Sequence, residues 1–317
     1  MKGIGGYIEL DTYFGKEYHE HAIAVNSGRH ALEYLIKANN IKKLYLPYFL
    51  CSSIKNLCIK CGCNYEMYHV DKKLEPIFHN QLGDNEYLYI VNYYGQLDDA
   101  CIQALKSNFV NIVVDNAQDF FRNRLDGIDT IYTCRKYFGV CDGGYVYTKN
   151  RCNIELSQDI SYPRMNYVLG RLEDGAEKFY KESSENNKYF STVGLKYMSK
   201  LTHNLLRGID YNTVIEKRNK NFEFLNKHLS KKNRLALKQP NGAFMYPFFT
   251  QDGIRIKKKL IEHKIYVPTL WNDVFETVGY CDLEADFVNN IVPLPIDQRY
   301  DHNDMSYILE VLDVFIT

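Results

Sequence analysis

The chain has 317 residues, 45% of them apolar, enough to bury a sizeable core and to form one large domain with a smaller one. Its 39 lysines and arginines balance 39 aspartates and glutamates, so no global field draws nucleic acid or an anionic membrane, and no nucleic-acid partner is expected. The opening stretch Met1-Lys2-Gly3-Ile4-Gly5-Gly6 lacks the apolar run of a leader, and no later run approaches the ~18 apolar residues of a membrane span; a soluble, cytoplasmic protein is expected.

In chain order, Leu32, Leu35 and Ile36 recur at helical spacing within residues 31–37, and Leu44, Leu46 and Pro47 mark a strand running into a turn over 43–50. Nine cysteines are scattered without a paired framework and read as reduced thiols. The cluster Cys58-x-x-Cys61-x-Cys63 has no second half at zinc spacing beyond His69, so the expectation is small buried side chains at a helix-to-strand junction and no metal. Tyr87-Leu88-Tyr89-Ile90-Val91 and Asn111-Ile112-Val113-Val114 are apolar on both faces, as a buried parallel sheet demands. Further strands are expected at 128–133 and 144–148.

From 153 to 227 the composition turns charged and helical, with Phe222, Phe224, Leu225 and Leu229 on one amphipathic helix. A strand over 243–249, a helix over 254–263, a strand over 265–268 and a helix over 304–315 follow. The expected class is α/β: a large domain, residues 1–205, with a mixed, mostly parallel sheet between helices, and a small α+β domain, residues 206–317.

Asp115 follows the apolar run Ile112-Val113-Val114 and so stands at the carboxyl end of a parallel strand, where open α/β sheets bind ligands. A carboxylate there keeps the pyridine nitrogen of pyridoxal phosphate (PLP) protonated, the state in which its ring draws electrons best. By itself Asp115 reads first as a helix cap, and Lys136 at the matching distance shifts the balance to the cofactor. Gln118, one turn on, is placed to meet the cofactor's phenolic oxygen. Lys136 would attack the cofactor aldehyde as a neutral amine, with Thr133 offering a hydroxyl to the phosphate and Gly143-Gly144 permitting close backbone approach or a tight turn. Arg135 is expected on a strand, pointing away from Lys136. Asn26-Ser27-Gly28-Arg29-His30 is a glycine-containing turn at a helix start, where backbone N–H groups bind a dianion.

This order of phosphate turn, acid, lysine and diglycine resembles the sugar aminotransferases of the DegT/DnrJ/EryC1/StrS family, PLP enzymes of fold type I. The likeness extends through Gly5-Gly6-Tyr7-Ile8-Glu9-Leu10, Leu46-Pro47-Tyr48, Tyr94-Gly95-Gln96 and Val292-Pro293-Leu294-Pro295-Ile296. It implies that Lys136 carries PLP covalently, Asp115 pairs with the ring nitrogen, Gln118 meets the phenolic oxygen, and Gly28, Arg29 and His30, with Thr133, cradle the phosphate. It further implies a homodimer that transfers an amino group from L-glutamate to a nucleotide-linked keto sugar, in the synthesis of surface polysaccharides or antibiotics. Three positions depart from the family pattern: Arg29 replaces a threonine, Cys51 stands where an aromatic residue stacks on the ring, and Ser161-Tyr162-Pro163-Arg164-Met165 lacks an asparagine that reaches the partner's phosphate. Two other readings stay open: a PLP enzyme for a small phosphorylated ketone or amino acid phosphate, held by Arg29, Arg164 and Arg299, and a non-catalytic member of the family. Arg299 has the plainer alternative of an ion pair with Asp301.

Overall fold

A computed structural model describes residues 4–279 and 282–315. Residues 1–3, part of the stretch read above for a leader, and residues 316–317, the end of the expected small domain, lie outside the described residues. The elements run β1 (Ile23–Val25), α1 (Gly28–Ala38), β2 (Lys43–Pro47), α2 (Ser52–Cys61), β3 (Asn64–Val70), β4 (Pro76–Ile77), β5 (Glu86–Val91), α3 (Asp99–Asn108), β6 (Ile112–Asp115), β7 (Asp129–Thr133) and β8 (Gly144–Tyr147). Then come α4 (Asn166–Asp174), α5 (Tyr180–Thr192), α6 (Lys200–Arg207), α7 (Tyr211–Leu229), β9 (Tyr246–Phe249), α8 (Gly253–Glu262), α9 (Leu283–Asn290), β10 (Ile291–Leu294) and α10 (His302–Asp313).

Eight strands form one sheet in the order β1-β8-β7-β6-β5-β2-β3-β4. Strands β3, β2, β5, β6 and β7 are mutually parallel, while β8 runs against both β7 and β1. All four residues of β6 are buried, because helices cover a parallel sheet on both faces and its central strands meet no water. Chain order reverses between β2 and β5, so the carboxyl ends of β5, β6 and β7 open beside the crevice where such sheets take ligands.

A second core gathers Phe222, Leu225, Phe248, Leu260, Leu294 and Leu312 around the two-stranded sheet β9–β10. The division expected at residue 205 falls inside α6, and this second core begins at Phe222. Ile265 and Val267 point inward and Tyr266 outward, as in the expected strand, but the segment joins no ladder among the described residues. Pro268 removes a donor at its end, and the Ile265 N–H is already given to Leu260 O. Cys58 and Cys63 are buried where α2 turns through Gly62 into β3.

Two buried histidines make the fold acid-sensitive. Burial pushes His19 and His30 from 6.5 down to about 4 each. Between those values the unfolded chain binds protons that the folded chain does not, so their contribution is whole above pH 6.5 and is lost as pH falls toward 4. The urea midpoint is therefore expected to drop steadily from pH 7 to pH 4.5, less steeply in His19→Asn; an unchanged midpoint across that range contradicts it.

Candidate active site

The start of α1 is set by Ser27, which has an extended backbone and whose side-chain Oγ accepts the His30 N–H at 3.1 Å. Ser27 O takes the Ala31 N–H at 2.9 Å. Helix geometry leaves the N–H groups of Gly28 and Arg29 without an intrahelical acceptor, directed off the positive end of α1. The His30 imidazole does not join them: it is fully buried beside Glu33, with its Nε2 3.9 Å from the carboxylate.

Gly28 lies against the end of β7, where a Cβ on it would come 3.1 Å from Thr133 Cβ and 3.5 Å from its Oγ1. The diglycine lies directly behind this turn. A Cβ on Gly144 would sit 2.6 Å from the Ser27 carbonyl carbon and 2.7 Å from the Gly28 nitrogen, so only glycine lets β8 pass. Gly143, at φ 118°, gives its N–H to Asn26 O and takes the Cys134 N–H. The close approach expected of this pair is therefore made by the chain's own Ser27–Gly28 turn, which it ties to the segment carrying Lys136.

Asp115 ends β6 and is held by both oxygens. The hydroxyl of Tyr89, a fully buried residue of the neighbouring β5, donates to Oδ2 at 2.5 Å, and Ala117 N–H donates to Oδ1 at 2.8 Å. Gln118 accepts the Tyr94 N–H on Oε1 at 2.8 Å, while its buried Nε2 has no partner among the described residues. Tyr94 is itself buried with φ 52°, so its contribution is to orient Gln118 through the backbone.

Lys136 and Arg135 lie in a turn after β7, not on a strand, because Cys134 O takes the N–H groups of both Tyr137 and Phe138. Arg135 therefore stays near enough for its charge to act on Lys136. The Lys136 amine lies 5.4 Å from the centroid of the Phe244 ring. Desolvation by the surrounding protein lowers its pKa below the ordinary lysine value, Asp115 opposes, and Arg135 adds to the lowering. The side chain is nonetheless open to solvent on one side, so the depression is smaller than full burial would give.

The peptide after Lys136 is gripped by α7 and by the segment before α10. Arg218, a fully buried residue of α7, donates to the carbonyls of Ala243 at 2.9 Å and Tyr137 at 3.4 Å, and Gln298 gives Nε2 to the same Tyr137 oxygen at 2.8 Å. Arg218→Met strands these carbonyls and is expected to cost about 2–4 kcal/mol in denaturant unfolding. Arg299→Gln, which breaks a half-buried pair with Asp297 and leaves no buried carbonyl stranded, should cost less than about 1 kcal/mol. Equal losses would contradict the grip.

Arg164, Arg299 and Cys51 are engaged elsewhere. Arg164 is bound to Asp159 at 2.9 Å, Asn186 at 3.0 Å and Ile160 O at 2.8 Å. Arg299 pairs with Asp297 at 2.6 Å rather than with Asp301, which caps α10. Cys51 opens α2 with its thiol 2.8 Å from Ser53 Oγ. Trp271 packs edge-on against Phe49 at 4.5 Å, and Asp273, two residues on, accepts the Ser52 N–H at the start of α2. Tyr89, Arg218 and Phe244 were not singled out from the sequence; a tyrosine inside an apolar strand and an arginine on an amphipathic helix carry no signal of their own.

A large, mostly parallel sheet with an acid at one strand end and a lysine beyond the next, joined to a small α+β unit, is the fold of PLP-dependent aminotransferases of fold type I. Among solved structures, the chain is similar to PseC of Helicobacter pylori, an aminotransferase involved in pseudoaminic acid biosynthesis, with 12% identity over 93% of this chain and 86% of that one and a TM-score of 0.64. It is similar also to NtdA of Bacillus subtilis, determined with bound cofactor PMP, at 14% identity, 96% and 78% coverage and a TM-score of 0.65. DesV of S. venezuelae matches at 14% identity, 93% and 84% coverage and a TM-score of 0.63. No protein-family model and no curated protein matches the chain.

Proposed function

We propose that the chain is a PLP-dependent aminotransferase acting on a keto sugar. The carrying observation is the Lys136 amine, lowered in pKa and within the field of Asp115, at the carboxyl ends of the strands where the aminotransferase fold takes its cofactor. The residues suit that cofactor: the unpartnered Gln118 Nε2 is a donor for a phenolic oxygen, Asp115 a partner for a pyridinium, and the N–H groups of Gly28 and Arg29, beside Thr133, a cradle for phosphate. Bound there, PLP supplies an electron sink for charge developing on the amine-bearing carbon. Lys136, as a neutral amine, takes a proton from that carbon and returns it on the other side of the exchange. Asp115, fixed by Tyr89 and Ala117, holds the proton of the ring nitrogen.

Glutamate as donor, a nucleotide as the sugar's carrier, a role in surface polysaccharide synthesis and a cytoplasmic location complete the proposal. No described helix is long and apolar enough to cross a membrane. A second copy of the chain is proposed to cover the exposed Tyr7, Ile8 and Phe14 of the N-terminal segment. The reading as an enzyme for a compact phosphorylated ketone loses two of the three arginines considered for it, since Arg164 and Arg299 are already engaged.

Apoprotein mixed with PLP is expected to turn yellow, and borohydride followed by peptide mapping to place the label on Lys136. A protein that stays colourless, or a label on another lysine, overturns the reading. Tyr89→Phe frees one oxygen of Asp115 and should lower kcat and PLP affinity about 5- to 20-fold each while the protein still folds, because a hydrogen bond to a charged group is worth about 1.5–3 kcal/mol at most. Unchanged cofactor affinity and kcat would remove Tyr89 from the site.

A further inference from the structure

Two arginines beside the α1 start lack a counter-ion. Arg29 donates from Nη1 to Ser191 at 3.0 Å, and Arg135 from Nη2 to Asn187. Asn187 and Ser191 are one turn apart on the same face of α5, which holds the two guanidinium groups side by side. Neither forms an ion pair among the described residues, and the Nε of each is buried without a partner. The carboxylate nearest in effect to Arg135 is Asp142, whose oxygens are already taken by Ser199 N–H, Ser199 Oγ and Thr202 Oγ1. The Arg135 charge also adds to the lowering of the Arg29 pKa, after desolvation. Two like charges drawn out of water with bare donors are unfavourable unless an anion completes them.

The geometry points to a subsite for a phosphate dianion formed by Arg29 and Arg135 of one chain, adjoining the N-terminus of α1. A guanidinium fork meets phosphate oxygens with paired donors, and the helix start adds aligned N–H groups. The phosphate has two possible carriers, the cofactor and a nucleoside diphosphate on the substrate; only this choice rests on the function proposed above.

The test measures binding to the apoprotein of PLP, of pyridoxal, which lacks the phosphate, and of UDP as the diphosphate probe, for the wild type, Arg29→Gln, Arg135→Gln and the double variant. If the pair holds the cofactor phosphate, the preference for PLP over pyridoxal falls about 10- to 100-fold in the double variant while pyridoxal affinity stays put. If it holds a substrate phosphate, that preference is unchanged and UDP affinity falls by a similar factor. Less than a twofold change in both overturns the subsite. Should the variants fail to fold, the wild-type apoprotein decides: inorganic pyrophosphate at constant ionic strength must raise its melting temperature by several degrees relative to chloride, and no rise overturns the proposal. A wild type that binds pyrophosphate but not PLP would retain the subsite and sink the aminotransferase reading instead.

Discussion

Lys136→Ala is expected to lower amino-group transfer on the order of 10⁴-fold or more, because the substitution removes both the covalent anchor and the proton-transferring amine, and general acid–base catalysis alone contributes 10²–10⁴. The loss should fall on kcat. The Lys136 amine has no hydrogen bond given among the described residues and lies 5.4 Å from the centroid of the Phe244 ring, so the variant should unfold at the wild-type denaturant concentration. PLP should still bind through Asp115, Gln118 and the phosphate turn, but reversibly, without the yellow band of a lysine-linked cofactor. The pH dependence follows from the lowered pKa: the neutral fraction of the amine rises with pH, so capture of PLP by the wild type should reach its plateau at lower pH than for an ordinary lysine. Multiple turnovers by the alanine variant would end the assignment.

Local sequence specifies the strand end and the helix start of this candidate site. Asp115 at the end of a four-residue buried strand follows from an apolar run closed by an acid, and Ser27-Gly28 at the head of α1 follows from a cap preceding helical periodicity. Contacts made at long range were not readable. The hydroxyl of Tyr89 reaches Asp115 only because β5 and β6 pair in parallel with Val91 opposite Asp115, a register that neither strand specifies alone. Arg218 resembled any charged residue of an amphipathic helix until α7 packed its guanidinium onto the carbonyls of Ala243 and Tyr137. The segment 265–268 shows the converse: its inward and outward alternation is real, but a strand also needs a neighbour to accept its hydrogen bonds, and local sequence does not specify one.

Gly144→Ala should damage both the fold and the turn at the head of α1. The added carbon would stand 2.6–2.7 Å from backbone atoms of Ser27 and Gly28, which cannot rotate aside as a side chain could. Either β8 or the phosphate turn must shift, at about 1–3 kcal/mol for overpacking of this kind. The turn is the weaker side: β8 is held between β7 and β1, whereas Ser27 and Gly28 are anchored mainly by the first bonds of α1 and the Gly143 contact to Asn26. Displacing that turn misaligns the N–H groups of Gly28 and Arg29, so PLP affinity should fall at least about tenfold, with pyridoxal affinity less affected, since charge-assisted bonds to the phosphate are the ones lost. Gly62→Ala provides the control. Its φ is 65°, so alanine is strained there by about 1 kcal/mol, but open space surrounds the site and the cofactor cradle is untouched. Equilibrium unfolding and PLP titration of the two variants separate the effects: both lose stability, and only Gly144→Ala loses the cofactor. If Gly144→Ala binds PLP as tightly as the wild type, the diglycine does not shape the phosphate turn.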